Sequence, residues 1–311
     1  MVTTNKDSIK KALNERDGFQ IWWRLLRPHT LTASFIPVFV GTMIALNDNS
    51  IHIFVFIAML IASMLIQSAT NMFNEYYDYV RGVDTENSVG IGGTIVRDGI
   101  KPKTVLRLAL IFYAISVLLG VYICIASNWW IAVIGLVCML LGYFYTGGPL
   151  PISATPLGEI FSGFFMGTVI IGISYYIQTG SLTSQVIWIS IPVAIFIGCI
   201  MLSNNIRDLD GDKESGRKTL AILLGRPNAI RFLGLLFILA FGLTVLYVIL
   251  GILPLWSLIT LLAAVLAIKV VRNFQGKTQP LEMMPAMMMT GKTNTIYGFL
   301  LGISLLTNYF I

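Results

Sequence analysis

Apolar runs long enough to cross a lipid bilayer recur along almost the whole 311-residue chain, and they limit its possible folds more than any other feature. A helix needs about 20 mostly apolar residues to cross the hydrocarbon core. Backbone polar groups inside a bilayer must be paired within the chain, so the runs predict an all-α, polytopic membrane helical bundle. We place nine spans, at residues 30–46, 52–78, 103–124, 129–145, 157–177, 184–206, 228–250, 254–271 and 294–310.

The composition excludes an ordinary soluble domain. Hydrophobic residues make up 56% of the chain and charged residues only 12%, whereas soluble domains contain about 25% charged residues. The net charge of +6 is interpreted as loop topology, and no nucleic-acid partner is predicted. The three cysteines, at positions 124, 138 and 199, lie inside apolar runs and are expected to be free, buried side chains.

The basic residues predict the orientation of the bundle. With the N-terminus inside, the inside segments are residues 1–29, 79–102, 146–156, 207–227 and 272–293. The outside connections hold no Lys or Arg, which is the positive-inside pattern. We therefore expect a multi-pass protein of the cell membrane with a cytoplasmic N-terminus and a C-terminus outside.

The chain is predicted to consist of an N-terminal segment, residues 1–29, followed by one transmembrane domain, residues 30–311. GFQIWWRLLRPHT, residues 18–30, mixes tryptophans with arginines. This is typical of a short interfacial helix or of an aromatic anchor at the start of the first span. Two inside loops, 79–102 and 207–227, are long and polar. Because long loops tend to carry function, we expect the functional loops to share the inner face.

The first of two acidic motifs is Asn74-x3-Asp78-x5-Asp84, at the end of the second span. Asn74 and Asp78 are four residues apart and share one helix face, which Gln67 and Asn71 extend into the membrane. Polar groups at this depth are costly and usually face a bundle interior or a cavity. Asp84 comes shortly after a glycine and is predicted to lie beyond the helix end.

The second motif, in SNNIRDLDGDKESGRKT (residues 203–219), ends the sixth span. Asn204, Asp208 and Asp212 follow one another at intervals of four residues, so they share a helix face. Asn205 is the alternative to Asn204 as the amide of this motif. The second and sixth spans run in the same direction, so both motifs are expected at the inner surface.

Clustered carboxylates raise one another's pKa by repulsion, and divalent cations remove that repulsion. Mg²⁺ prefers oxygen ligands and is typically held by one or two carboxylates plus substrate phosphates. The paired motifs therefore predict Mg²⁺ ions bound on a diphosphate. The alternative is that the acidic residues are solvated caps and the basic ones only set topology. The basic candidates for binding the diphosphate are Arg81, Arg97, Arg207, Lys213, Arg217 and Lys218.

GYFYTGGPLPISATPLGE, residues 142–159, places Tyr143 and Tyr145 at the depth of the acidic motifs. Aromatic faces attract cations, so either tyrosine is a candidate for stabilising a cationic intermediate. An interfacial aromatic belt is the alternative.

Glycines recur along the fifth span, and small residues let helices approach closely. We interpret them as packing positions, with a groove for a lipid chain as the alternative. They are Gly158, Gly163, Gly167 and Gly172.

These motifs and the nine spans resemble the UbiA-type intramembrane prenyltransferases over nearly the whole chain. The resemblance implies a bundle around a central, lipid-accessible cavity and Mg²⁺-dependent prenyl transfer from polyprenyl diphosphate to an acceptor, often aromatic. It implies that Asp78 and Asp208 are essential for catalysis. The implied metal–diphosphate site comprises Asn74, Asp78, Asp84, Asp208 and Asp212, with Asn204 or Asn205 as a further ligand.

Four stretches narrow the resemblance to the branch whose acceptor is 1,4-dihydroxy-2-naphthoate: NMFNEYYDYVRGVDT, GIGGTIVRDG, YTGGPLP with PLGE, and NNIRDLDGDKESGRKTLA. The five residues between Asp78 and Asp84 are the spacing of that branch. The resemblance implies loss of CO₂ and diphosphate to give demethylmenaquinol. The alternatives are a family member that uses 4-hydroxybenzoate, homogentisate or haem, and an ion-coupled transporter. The transporter is disfavoured because its acidic residues are expected near mid-bilayer.

Overall fold

The computed structural model describes Lys10 and residues 18–48, 51–84 and 93–310. Within these ranges all regular elements are helical, including a short 3-10 turn at Ile152–Ala154 and a 3-10 stretch at Leu255–Ala263 that forms the first part of the tenth helix. The helices are α1 (Phe19–Leu26), α2 (Pro28–Asp48), α3 (Ile53–Val80), α4 (Pro102–Ala126), α5 (Trp130–Thr146), α6 (Gly158–Thr179), α7 (Ser184–Glu214), α8 (Leu220–Leu224), α9 (Arg226–Ile249), α10 (Leu255–Phe274) and α11 (Pro280–Phe310).

Every predicted span falls on a helix, and the all-helical membrane bundle is confirmed. Among the described residues, seven helices are long and apolar enough to cross a membrane, namely α2, α3, α4, α6, α7, α9 and α10. α5 is shorter, with 17 residues. α11 is long but carries Glu282, Lys292 and Asn294 in its first half. The count of nine is therefore approximate.

Two helices extend into segments that the sequence indicated as inside loops. α7 continues to Glu214, although its span was predicted to end at 206. α11 begins at Pro280, although its span was predicted to begin at 294. The predicted span ends at 206 and 294 fall short of the helix ends because hydropathy marks where the membrane ends, not where a helix ends. The inside placement of 207–227 and 272–293 stays a prediction. Here the two helices continue to pack on each other beyond the apolar run.

Within the segment 18–30, Phe19–Leu26 form a helix of their own, α1, and the last three residues already belong to α2. The side chains of Phe19, Trp22 and Trp23 are exposed, while Leu25 is buried against α3 and α4. Arg27 follows the last residue of α1 and has a left-handed backbone with φ of 51°, and α2 begins at the next residue. The position of α1 at a membrane surface stays a prediction.

The glycines of α6 allow it to pack closely on α7. A Cβ added at Gly163 would lie 2.6 Å from the carbonyl oxygen of Ala194, and one at Gly167 would lie 2.5 Å from the Ala194 Cα. Such contacts between backbones require glycine, so the packing interpretation is confirmed for these two positions. The segment Gly163–Val169 is also a π-helix, a form that is frequent at functional sites.

The helices pack into two groups that face each other across a cavity. α5 packs on α3 and α4, whereas α6 packs on α2 and α7. α9, α10 and α11 complete the second group and, with α2 and α7, form the largest hydrophobic core. The space between α5 and α6 is therefore left for the cavity.

Candidate active site

The cavity has a volume of about 570 Å³ and is lined by α2 to α7 and by residues of four connecting segments. This size is typical of a small-molecule site. Among the described residues, its charged lining side chains all come from one end of the bundle, where α3 and α7 end and α2 begins. They are Arg27, Asp78, Asp84, Arg97, Arg207, Asp208, Asp212 and Arg217.

Away from the charged end, the cavity has one polar and one apolar wall. Ser63, Gln67, Thr70 and Asn71 of α3 line the polar wall, and the amide of Asn71 donates to the Thr30 hydroxyl of α2 at 2.9 Å. The opposite wall is lined by side chains of α5 and α6, among them Leu136, Met139, Phe165, Met166 and Ile170.

The cavity is accessible from the apolar outer surface of the bundle. Three of its lining side chains on α4 and α5, Val117, Val121 and Leu136, are also exposed on that surface. An apolar surface of this kind faces lipid in a membrane helix. The cavity is therefore lipid-accessible, as the sequence indicated.

The first acidic motif reaches the cavity from the end of α3. Asn74 and Asp78 lie on the helix and line the cavity. Beyond the helix, Gly82 has φ of 70°, and the backbone N–H of Asp84 donates to the Asp78 carbonyl at 3.2 Å. This turn directs the chain back toward the cavity. Asp84 therefore lies beyond the helix end, as predicted, and lines the cavity beside Asp78.

The second motif presents its residues from α7. Asn204, Asp208 and Asp212 all line the cavity, as their common helix face predicted. Asn205 also borders it, but its side chain is buried and its amide nitrogen donates to Oε1 of Glu159 at 2.8 Å. Asn205 thus pairs with α6, whereas Asn204 remains directed to the cavity with the two carboxylates.

Arginines hold the acidic side chains of both motifs. Arg217 lies 2.5 Å from Oδ1 of Asp78 and 3.2 Å from Oδ1 of Asp212. Arg207 donates to both carboxylate oxygens of its neighbour Asp208. In this arrangement no three acidic, His or Cys side chains of the described residues form a cluster that could hold a metal ion. The carboxylates share one cavity end, where guanidinium groups pair with them.

The charges at this end shift the pKa values of groups outside the spans. Burial, followed by repulsion from Asp78, raises the pKa of Asp84 to about 6. Burial alone would lower the pKa of Arg217, but attraction to Asp78 and Asp212 raises it above its ordinary value. Arg217 therefore stays charged, and Asp84 loses its proton less readily than a solvated carboxyl group.

The basic candidates separate into those that line the cavity and those that do not. Arg97 is buried and borders the cavity, with its guanidinium packed over Gly93. Arg81 instead donates at 2.6 Å to the backbone carbonyls of Thr146 and Gly148, so it caps the end of α5. Lys213 is exposed and is not part of the lining. Of the six basic candidates, Arg97, Arg207 and Arg217 line the cavity, whereas Arg81, Lys213 and Lys218 do not.

The two candidate tyrosines have different surroundings. Tyr145 lines the cavity near the charged end, and its hydroxyl donates to the Gly158 carbonyl at 3.4 Å. Tyr143 points away from the cavity. Its ring packs edge-on against Phe73 and Tyr77, and its hydroxyl is 2.5 Å from that of Tyr77. Only Tyr145 is in a position to face a ligand.

Sequence reasoning missed two residues that shape the charged end. Glu75 is buried and accepts hydrogen bonds from the Thr94 hydroxyl and from the Ile95 backbone at 3.0 Å, so it fixes the segment that carries Arg97. Arg27 lines the cavity and, among the described residues, is the only one other than glycine with a positive φ. Apart from the proline that follows Arg27, nothing in the sequence marks this residue as having an unusual backbone conformation.

The donor set fits a divalent cation that prefers oxygen. Its members are carboxylate and amide oxygens, which are the ligands of Mg²⁺, and the described part of the cavity lining contains no His. Residues 85–92, which lie in the middle of the first inside loop and include the start of the GIGGTIVRDG stretch, are outside the described residues.

Comparisons with known proteins agree with this geometry. The family model described as the UbiA prenyltransferase family matches residues 34–291. The chain is 52% identical over 310 residues to the 1,4-dihydroxy-2-naphthoate octaprenyltransferase of Bacillus subtilis (strain 168), and the match covers 100% of both proteins.

Solved structures show the same fold. A UbiA homologue from Aeropyrum pernix K1 superposes with a TM-score of 0.67 at 15% identity, covering 90% of this chain and 98% of that one. A UbiA homologue from Archaeoglobus fulgidus, bound to GPP and Mg²⁺, superposes with a TM-score of 0.60 at 18% identity, with the same coverage.

Proposed function

The chain belongs to the UbiA prenyltransferase family, and we propose that it transfers a polyprenyl group from polyprenyl diphosphate to 1,4-dihydroxy-2-naphthoate. The reaction releases diphosphate and CO₂ and forms demethylmenaquinol, a step of menaquinone biosynthesis. The observation that carries this proposal is the 52% identity with the Bacillus naphthoate enzyme over the full length of both chains. Both acidic motifs lie within the matched region.

The two walls of the cavity suit the two substrates. We place the diphosphate at the charged end and the prenyl chain along the apolar side of α4 to α6, where it is able to continue into lipid. The naphthoate ring, with two hydroxyls and a carboxylate, matches the polar wall formed by Gln67, Asn71 and Thr30. Each substrate thereby buries its apolar surface while its polar groups find partners.

The charge at this end explains why a cation accompanies the diphosphate. Four lining carboxylates face four lining guanidinium groups, so the described charged end is balanced before a ligand binds. A diphosphate adds about three negative charges, which Mg²⁺ typically compensates in phosphate sites. We propose Mg²⁺ as the cofactor, held by Asn74, Asp78, Asp84, Asn204, Asp208 and Asp212.

The chain's own residues then support each step of the reaction. The allylic C–O bond breaks as negative charge moves onto the departing diphosphate, and bound Mg²⁺ supplies positive charge there. Arg97 and Arg217 are placed to donate to the same oxygens. Tyr145 presents an aromatic side chain to the cavity near the charged end, where its face attracts the allylic cation.

Carbon–carbon bond formation completes the transfer. The electron-rich naphthoate ring attacks the cation at the carbon that bears its carboxylate, and loss of CO₂ restores aromaticity. The apolar wall excludes water, which would otherwise trap the cation. No described His lines the cavity to serve as a base, and decarboxylation removes the need to abstract a ring proton.

We further propose that the charged end faces the cytoplasm of a cell membrane. In this orientation soluble naphthoate reaches the charged end from the cytoplasm. Diphosphate is released to the same side, where both compounds are metabolised. The absence of Lys and Arg from the outside connections supports this orientation.

A product assay with purified protein tests the proposal. With Mg²⁺, farnesyl diphosphate and carboxyl-labelled naphthoate, we expect labelled CO₂ and a prenylated quinol in equal amounts. Asp78→Ala and Asp208→Ala are each expected to abolish turnover by removing a metal-binding group, without unfolding the protein. Product from 4-hydroxybenzoate but not from naphthoate would show that the acceptor is misassigned.

A further inference from the structure

Arg217 connects the two acidic motifs directly. Its Nη2 is 2.5 Å from Asp78 of α3, and its Nη1 is 3.2 Å from Asp212 of α7. Among the ion pairs of the described residues, these are the two that join the motifs to each other. One guanidinium thus stands between carboxylates that are expected to serve a metal ion.

The oxygens that Arg217 engages are the oxygens a cation would need. Mg²⁺ requires ligands at 2.0–2.1 Å in near-octahedral geometry, and both contacts of Arg217 are to carboxylate Oδ1 atoms. The carboxylate side chains of Asp78 and Asp212 are only 12% and 7% exposed. Two positive groups on the same shielded oxygens repel each other strongly, so the guanidinium and the cation compete.

The backbone of Arg217 keeps the side chain nearby when it leaves the carboxylates. Its N–H donates to the carbonyl of Asp212 at 3.0 Å, and the next N–H, of Lys218, donates to Ala154 at 2.9 Å. The segment between α7 and α8 is therefore tied on both sides. Release of the carboxylates then requires rotation of the side chain alone, which leaves the guanidinium at the charged end of the cavity.

We propose that Arg217 competes with the divalent cation for Asp78 and Asp212 and, once displaced, donates to the diphosphate. The proposal rests on the proposed function, because it assumes a metal–diphosphate site at these motifs. Its consequence is that metal and diphosphate favour each other's binding. The cation releases the guanidinium from the carboxylates, and the diphosphate gives the guanidinium a new partner. An arginine that only stabilised the fold would instead assist metal binding.

Metal binding without substrate tests the competition. Binding of Mn²⁺ to the purified protein is followed by the electron paramagnetic resonance signal of free Mn²⁺, with displacement by Mg²⁺ as a check. Arg217→Met is expected to tighten Mn²⁺ binding about tenfold, the scale of one lost charge-assisted contact. Arg217→Lys keeps the charge but loses the fork that spans two carboxylates, and a smaller tightening is expected.

A matched control separates competition from a simple change of net charge. Arg226 pairs at 2.9 Å with the exposed carboxylate of Asp210, outside the cavity lining. Arg226→Met removes the same charge from a similar pair and is expected to change Mn²⁺ affinity less than twofold, because exposed charges are screened.

A second measurement addresses the diphosphate. With Mg²⁺ present, Arg217→Met is expected to bind farnesyl thiodiphosphate at least tenfold more weakly than the unaltered protein, opposite to its effect on metal alone. Unchanged or weaker Mn²⁺ binding in Arg217→Met would overturn the proposal. Failure of the unaltered protein to bind the analogue in the presence of Mg²⁺ would instead count against the proposed function.

Discussion

Asn204 and Asn205 are adjacent in the chain, yet α7 directs them to different partners. The amide of Asn205 donates to Oε1 of the buried Glu159, whose Oε2 has no hydrogen-bond partner among the described residues. Asn204 faces the cavity with Asp208. Spacing alone did not separate the two, because they lie four and three residues before Asp208 and both intervals make side chains neighbours on a helix. The three-dimensional contacts separate a structural amide from a candidate metal ligand.

Substitution of each asparagine is expected to give opposite defects. Asn205→Ala leaves Glu159 unpaired in a buried site and is expected to cost about 2 kcal/mol of stability, seen as a lower melting temperature in detergent. Asn204→Ala is expected to keep the melting temperature and weaken Mn²⁺ binding in the presence of farnesyl thiodiphosphate. If Asn205→Ala weakens metal binding at unchanged stability, the assignment must be reversed.

The arginines show the same limit of sequence reasoning. Arg81, Arg97 and Arg217 all lie near an acidic motif, and composition gave no reason to distinguish them. Arg81 donates to the backbone carbonyls at the end of α5, whereas Arg97 and Arg217 border the cavity. Which carbonyls lie within reach depends on the packing of α3 against α5, which is not encoded in local spacing.

Asp98 links the segment that follows the first motif to the N-terminal region. Its carboxylate lies 2.6 Å from Lys10 and 2.7 Å from Arg24 of α1. Burial would raise its pKa, but the hydrogen bonds from Lys10 and Arg24 lower it below the ordinary value. A depressed pKa stabilises the fold above the unfolded pKa, near 3.9, and this contribution is lost as pH falls through the folded pKa.

The pH dependence of Asp98→Asn is therefore predictable. At pH 7 this variant is expected to be less stable than the unaltered protein by about 3 kcal/mol, the scale for breaking a buried pair. The difference in melting temperature between the two proteins is expected to shrink below about pH 4, as Asp98 takes up a proton. A difference that stays constant from pH 7 to pH 3 would show that the charge of Asp98 is not what stabilises α1.

Among the helices, apolar patterning predicted which segments form spans, and it failed at their ends. α7 and α11 continue as polar helices because they pack on each other, and Arg207 of α7 contacts the thioether of Met287 on α11. The π-helix in α6 was not predicted either. Its wider hydrogen-bond pattern depends on packing against α7 and has no periodic signature in the sequence.

The close contact of α6 with α7 depends on Gly167. A Cβ there meets the backbone of Ala194 at 2.5 Å, which cannot be relieved by a side-chain rotation. We expect Gly167→Ala to separate the helices and to cost about 3 kcal/mol, measured by thermal unfolding in detergent.

Gly172 in the same helix provides the matched control. A Cβ there meets only Leu182 at 3.6 Å, an ordinary contact. Gly172→Ala is expected to be neutral or slightly stabilising because alanine favours helix formation. Equal losses in the two variants would show that helix propensity, rather than the contact with α7, governs this segment.

At the scale of the whole molecule, both acidic motifs lie at one end because α3 and α7 run in parallel. Each motif ends an even-numbered span, so the topology alone predicts that both lie at the same end. Residues of both motifs line the cavity there, which confirms this prediction. The sequence did not reveal the two-walled cavity, since its lining combines residues from six helices. That arrangement depends on which helices pack together, and α5 and α6 are neighbours in the chain that pack on different partners.

The orientation of the bundle leads to a prediction for cysteine labelling. In a variant in which Cys124, Cys138 and Cys199 are replaced by serine, single cysteines are introduced at exposed positions between helices. Lys101→Cys and Gln275→Cys lie at the end that carries the acidic motifs, whereas Asn128→Cys and Ser181→Cys lie at the other end.

An impermeant maleimide applied to intact spheroplasts is expected to label positions 128 and 181 but not 101 and 275, and inverted vesicles are expected to give the reverse. The physical reason is that basic loops are retained on the cytoplasmic side during insertion. Labelling of position 101 in intact spheroplasts would place the diphosphate site outside, where the proposed supply of naphthoate could not reach it. The same measurement therefore tests both the cytoplasmic placement of the charged end and the topology inferred from the basic residues.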